Sequence, residues 1–398
     1  MYKNNIFLYP CPVSGRKNQM MGTNWRSIPC KIAELRLDIV LACGQSFRWK
    51  EIKPGLWRSV LAKKVWTLKQ NDNELFYQIH CGHELETPTD DKHEVKTFSK
   101  PKKAQKQGNS DNHGTRVKKE VLPPGDLYFS NAESTLFDYF QLQTSLGELY
   151  KKWSSADANF RQVAADFTGI RMLRQDPTEN LFAFICSSNN NISRISGMVE
   201  RMCEKYGDKL CELDGQTYYT FPDIAKLASE NVEQELRSLG FGYRAKYINQ
   251  TAKYIMQNHN DNWLQSLRSV SYEDAHSELL KLPGVGSKVA DCVCLMSLDK
   301  HSAIPVDTHV WQIASRDYMP KLTKTKSLTD KVYKEIGDFF RNLYGDYAGW
   351  AHSVLFSADL KKFQDLKTKK IRQDTQPIRK KRLNESTAKT KKKRKQEK

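Results

Sequence analysis

The stretch LPGVGSKVADCVCLMSLDKHSAIPVDTHV, residues 282 to 310, constrains this 398-residue chain more than any other, because it sets a lysine and an aspartate nineteen positions apart around a glycine-rich turn. Before it, Tyr272, Ala275, Leu279 and Leu280 recur at helical spacing, which predicts an amphipathic helix over 272–280 that Pro283 and Gly284 terminate. Gly284 and Gly286 are expected to take backbone angles that other residues resist and to leave the amides bare. Ser287 is expected to cap a second helix running to about Leu298. The product is a helix-hairpin-helix. Its bare amides at a helix N-terminus suit a DNA phosphate, and outward-facing hairpin carbonyls could share a cation with that phosphate.

Lys288 falls in the first turn of the second helix, where the macrodipole disfavours a cation and so favours the neutral, nucleophilic amine. Asp307 follows Pro305 and Val306 and precedes a run with helical spacing (Val310, Ile313, Ala314), so it is expected to cap that helix as an anion able to face a cationic sugar. Cys292, four residues after Lys288, shares its helix face and looks into the same pocket. Taken singly, each feature has a plainer reading: the hairpin as a passive DNA clamp, Lys288 as a phosphate contact, Asp307 as a cap alone. Their joint occurrence at this spacing is far more specific.

Three further blocks join this one: ACGQSFRW at 42 to 49, CSSNNNISRISGMVERMC at 186 to 203, and GWAHSVLFSADL at 349 to 360. With the hairpin, Lys288 and Asp307, they resemble the eukaryotic 8-oxoguanine DNA glycosylase/AP lyase family, within the helix-hairpin-helix, Gly/Pro-rich loop and Asp superfamily. The resemblance runs from about Trp25 to about Leu360 and is interrupted once. It implies a bifunctional base-excision repair enzyme that flips out 8-oxoguanine paired with cytosine, excises it through a lysine Schiff base, and nicks the abasic site by β-elimination. Two other readings stand beside this one: a related glycosylase for other oxidised bases, and a non-catalytic damaged-DNA-binding protein.

The basic excess, 64 Lys and Arg against 46 Asp and Glu, agrees with a nucleic-acid partner, but its placement says more. Residues 361 to 398 hold 17 basic and 4 acidic side chains, so 13 of the 18 net charges belong to the tail. The body must therefore grip DNA through placed amides and a few arginines, with the tail adding salt-sensitive attraction. RKKR at 379 to 382 and KKKRK at 391 to 395 also read as nuclear import signals. No stretch has the uninterrupted apolar length of a membrane span. The nine cysteines show no paired framework and are expected to be reduced thiols. The last is Cys294, so an iron-sulfur loop after Asp307 is not expected, and neither is a structural zinc site, a catalytic metal or a redox cofactor.

The expected architecture is α+β. Residues 1 to 23, with three basic residues and no acid, form a disordered leader and leave a mitochondrial form open. Residues 24 to 175 form an amino-terminal domain built on a twisted antiparallel sheet, with runs such as IVLAC, LWRSVLA and KVWTLKQ as strands. A polar segment at 86 to 119 interrupts it as a disordered insertion. Helical spacing returns from Thr135, and residues 176 to 362 form the helical part of a mostly helical domain pair, almost wholly helical to Leu360. A disordered basic tail fills 363 to 398. The enzyme is expected to act as a monomer on duplex DNA.

The lesion itself suggests how it is read. Oxidation at C8 turns guanine N7 from an acceptor into a donor, so a fixed backbone carbonyl can accept from the damaged base and repel the normal one. The resemblance implies that Gly44 supplies that carbonyl, that Cys292 and Phe356 sandwich the extruded base, and that Gly284, Gly286 and His309 touch DNA phosphates. It further implies that Asn189, Arg194 and Arg244 read the orphaned cytosine while Tyr243 wedges the gap. His352 departs from the family, which places a glutamine there against the Watson-Crick edge of the base. A histidine titrating near neutrality would weaken recognition toward acid pH, between about pH 8 and 5.5.

Overall fold

Runs rich in Val, Trp, Leu and Tyr make the amino-terminal strands; the two central ones bury four consecutive residues each, Trp57–Val60 and Val65–Leu68, and only Leu75 and Tyr77 show period-two burial. The computed structural model describes residues 25–82, 131–325 and 327–366. In it β1 (Arg26–Pro29), β2 (Lys50–Lys53), β3 (Leu56–Leu61), β4 (Lys64–Gln70) and β5 (Glu74–Gly82) form an antiparallel sheet ordered β1-β5-β4-β3-β2. β3 turns into β4 through Ala62 and Lys63, both at positive φ, the mirror-image turn whose twist matches the strands. The proposed leader, the 86–119 insertion and the tail beyond Leu366 lie outside the described residues.

Three expectations change. The IVLAC run is not a strand: Leu37–Val40 is a short helix, with Leu37, Ile39 and Val40 all buried in place of an alternating pattern. The Gln70 side chain secures it from β4, accepting from the Leu37 amide and donating to the Leu35 carbonyl. Second, the carboxy-terminal half is not wholly helical. β6 (Lys209–Leu213) and β7 (Gln216–Tyr219) make a hairpin around Asp214 and Gly215, both at positive φ. An Asp-Gly pair between strand-forming residues is the signal that names this turn. Third, Cys81 on β5 and Cys211 on β6 are joined as a disulfide, so these two of the nine cysteines are not reduced thiols; Cys30, Cys43, Cys186, Cys203, Cys292 and Cys294 are free and buried.

Core membership does not follow the 175/176 boundary. Trp66, Leu68 and Tyr77 of the sheet pack with Leu136 and Phe140 in a smaller core. Leu146, Trp153 and Phe160, from the helices Leu146–Ala156 and Ala158–Ala164, join the larger helical core, where the Trp153 and Phe160 rings meet Tyr344 edge-on. Fully buried Arg171 ties the regions together. It pairs with Glu34 at 2.8 Å and donates to the carbonyls of Phe140, Gln141 and Thr144, the arrangement that makes a buried cation tolerable. At the other end Phe363 is buried and Leu366 packs on the helical core, so ordered structure runs past the expected limit at 362. Among the described residues no helix is long and apolar enough to cross a membrane.

Candidate active site

The hairpin forms where the sequence places it. The helix Tyr272–Leu280 is capped by the Ser271 hydroxyl, which accepts from the Asp274 amide. Gly284 takes φ 78°, and a Cβ there would lie 2.5 Å from the Tyr247 side chain, so glycine is required twice over. Gly286 has an ordinary φ of −98° and open space around it, so its use is access to the backbone and not conformation. It is also Gly286, not Ser287, that occupies the cap position of the helix Ser287–Ser297, and no side chain bonds to the amides there. An uncapped helix start of this kind suits an external anion.

Lys288, Asp307, Gly44, Cys292, His352 and Phe356 line one cavity of about 70 Å³. These come from four separate segments of the chain. Asp307 caps the helix Thr308–Ile313, accepting from the Val310 amide at 2.9 Å, and is half-buried. Gly44 takes φ 90° and packs against Ile192, in a loop pinned by Gln45, which donates to the Arg171 carbonyl and accepts from the Leu173 amide. It lies outside any strand. Burial pushes the Cys292 thiol up to about 11, with Lys288 only partly opposing, so at neutral pH it is an uncharged wall and not a competing nucleophile. Lys288 donates to the Ser187 hydroxyl and stands 4.9 Å over the Phe184 ring, at the end of the helix Pro177–Ile185. Its surroundings are set by that helix as well as by its own.

His352 is buried, and neither ring nitrogen has a hydrogen-bond partner among the described residues. The Gly349 carbonyl one turn back already accepts from Ser353. Burial pushes the imidazole down to about 4, Asp307 opposing in part. The ring therefore stays neutral across the range where the sequence suggested it would titrate, and the expected acid weakening of recognition between pH 8 and 5.5 does not follow. Acid stability is affected instead. Unfolded, the ring takes its proton near pH 6.5, whereas folded it does so only near 4, so stability is lost as pH falls through that window. The slope is about 1.4 kcal/mol per pH unit, which makes the loss about 2 kcal/mol by pH 5. His352→Gln is expected to remove this component, so that its melting curve gains on the wild type as pH falls below about 6.5. A constant difference between the two proteins from pH 7 to 5 would contradict the buried neutral ring.

A second cluster surrounds the turn at 186 to 191. Asn189 takes φ 46°, and Asn191 caps the helix Ile192–Tyr206. Arg244 donates to the Ser188 and Asn189 carbonyls with its guanidinium over the Tyr243 ring, itself 47% exposed. Arg194 is exposed on the first turn of the helix Ile192–Tyr206, and His309 is exposed with its ring edge-on to Phe356. Asn189, Tyr243 and Arg244 are thus in contact through one turn, and Arg244 is buried within it.

Residues that the sequence reading passed over also shape the site. Ser187 and Phe184 hold the lysine amine, and Ser187 stands inside the CSSNNN block that the reading used. Asp291, next to Cys292, accepts from the hydroxyls of Tyr272 and Tyr333, and the Tyr333 hydroxyl in turn accepts from the Val306 amide beside Asp307. The lysine helix and the aspartate loop are tied together at their backs. No sequence spacing marks that network.

Helix-hairpin-helix, lysine and capping aspartate define a base-excision DNA glycosylase, and residues 182–338 match the HhH-GPD superfamily of base excision DNA repair proteins. Residues 27–181 match the amino-terminal domain of 8-oxoguanine DNA glycosylase. The chain is 36% identical over 374 residues to the N-glycosylase/DNA lyase OGG1 of Arabidopsis thaliana, spanning 93% of this chain and 88% of that protein. It is 36% identical to the N-glycosylase/DNA lyase of Saccharomyces cerevisiae, spanning 82% and 84%. The apo structure of Clostridium acetobutylicum 8-oxoguanine glycosylase/lyase superposes with a TM-score of 0.62 at 29% identity, covering 81% of this chain and 93% of that one. The chain belongs to the 8-oxoguanine DNA glycosylase family, whose members combine N-glycosylase and DNA lyase activities.

Proposed function

We propose that this enzyme extrudes 8-oxoguanine paired with cytosine from duplex DNA and excises it with Lys288 as nucleophile. The observation that carries the reading is the convergence of Lys288, Asp307, Gly44, Cys292, His352 and Phe356 on one cavity. The solved Clostridium acetobutylicum relative in complex with double-stranded DNA containing cytosine opposite 8-oxoguanine supports the choice of substrate.

Lys288 Nζ attacks C1′ as the glycosidic bond breaks and its electron pair leaves with the base, while the Asp307 carboxylate stabilises positive charge growing on the sugar. Ring opening and loss of the nitrogen's extra proton give a C1′ Schiff base. Loss of a C2′ proton then expels the 3′ phosphate and cuts the strand. The Gly44 carbonyl accepts from N7–H of the lesion, neutral His352 faces its Watson-Crick edge, and Cys292 and Phe356 stack on its two sides. A cavity of about 70 Å³ holds only a few waters, so half-buried Phe356 must move as the base enters. Asn189, Arg194 and Arg244 read the cytosine, Tyr243 fills the gap, and Gly284, Gly286 and His309 take phosphates, with the hairpin carbonyls open to a shared cation. Arg244 holds the Ser188 and Asn189 carbonyls through Nη2 alone, which leaves its other N–H groups for the base. The scheme uses no redox cofactor and no catalytic metal.

Single-turnover excision from duplexes differing only in the lesion or the opposing base tests this reading. Preference for 8-oxoguanine opposite cytosine supports it; equal excision of oxidised pyrimidines overturns it. We further infer a monomer that works in the nucleus, the basic clusters at 379 to 382 and 391 to 395 acting as import signals and as nonspecific DNA contacts. Removing residues 367–398 is expected to flatten the salt dependence of nonspecific binding while sparing excision. An unchanged salt slope contradicts the DNA role, and full nuclear accumulation of the truncated protein contradicts the import role.

A further inference from the structure

The amine of Lys288 is held from behind. Lys288 Nζ donates to Ser187 Oγ at 3.1 Å, and the Ser187 hydroxyl donates to the Phe184 carbonyl at 2.7 Å. Ser187 lies in the turn that closes the helix Pro177–Ile185, 101 residues before the lysine. A hydroxyl has one proton. With that proton committed to Phe184, the oxygen meets the amine only as an acceptor. The Phe184 ring lies under the same nitrogen, 4.9 Å from its centroid, and closes a second side.

We propose that Ser187 is a positioning residue for the lysine nucleophile. Its oxygen fixes one N–H of the amine against the helix end, and the lone pair is then free to point into the cavity that Asp307 lines. Ser187 gives up no proton in the reaction and touches no substrate. Its contribution is angular, since reactivity falls steeply when the attacking atom is displaced or misdirected. The turn also carries Ser188 and Asn189, whose carbonyls hold Arg244, so lysine alignment and the cytosine-reading cluster share one backbone segment.

The inference rests on Lys288 being the attacking group, and the test separates the two. Ser187→Ala is expected to slow single-turnover excision and borohydride capture by the same factor, about tenfold, the scale of one lost hydrogen bond to a reacting group. Affinity for lesion DNA should change by less than about twofold, because the serine binds neither base nor phosphate. Ser187→Thr, which keeps the oxygen, should recover most of the lost rate. An alanine variant as fast as wild type overturns the proposal. So do threonine and alanine variants that are equally slow, or an affinity that falls as far as the rate. Failure to capture the wild-type enzyme at Lys288 would defeat the Schiff-base reading, whereas capture at Lys288 with an unaffected alanine variant would defeat the serine's role alone.

Discussion

Lys288→Gln is expected to lower single-turnover excision below about one-thousandth of wild type, a loss of about 4 kcal/mol of transition-state stabilisation, and to abolish borohydride cross-linking. Glutamine keeps most of the side chain's length and can still donate to Ser187, so the cavity should keep its shape. Lesion binding should survive largely intact. In the proposed scheme the DNA contacts come from the uncapped helix start behind Gly286 and from arginines, none of which the substitution touches. Substantial excision by this variant would show that water, not the lysine, attacks C1′.

Asp307→Asn is expected to cost about a hundredfold in excision rate with much less loss of affinity, because the carboxylate acts on charge that develops only in the transition state. The substitution separates two roles. Asp307 caps the helix Thr308–Ile313 through the Val310 amide, and asparagine caps a helix about as well as aspartate. Thermal stability should therefore hold while turnover falls. A variant that melts lower and loses rate and affinity together would reduce Asp307 to a cap. A variant that keeps wild-type turnover would remove the electrostatic role altogether.

Local chemistry made much of this molecule legible. The helix Tyr272–Leu280, the glycine turn and the aspartate cap are each fixed by neighbours within a few residues, and they stand where the sequence puts them. At Gly286 the expected bare backbone stands but the expected unusual φ does not, because a glycine's need for space and its need for unusual φ look alike in a sequence. The Leu37–Val40 helix was hidden because its stabilising contact, the Gln70 side chain, lies thirty-three residues away. The Cys81–Cys211 bond spans 130 residues, and nothing local announces it. His352 lines the cavity shared with Lys288 and Asp307, but its charge state depends on burial, which residue type does not reveal. Ser187 stands in the CSSNNN block, but its partner cannot be read there, since a contact across 101 residues exists only once the helix Pro177–Ile185 has packed against the lysine helix.

Borohydride reduction during reaction with 8-oxoguanine:cytosine duplex, followed by mapping of the modified residue, tests the central claim most directly. The expected result is a stable protein–DNA adduct formed at the rate of base excision, carried by Lys288, absent from Lys288→Gln, and not formed on the matched undamaged duplex. Excision that proceeds at full rate without an adduct, or an adduct carried by any other amine, would contradict it.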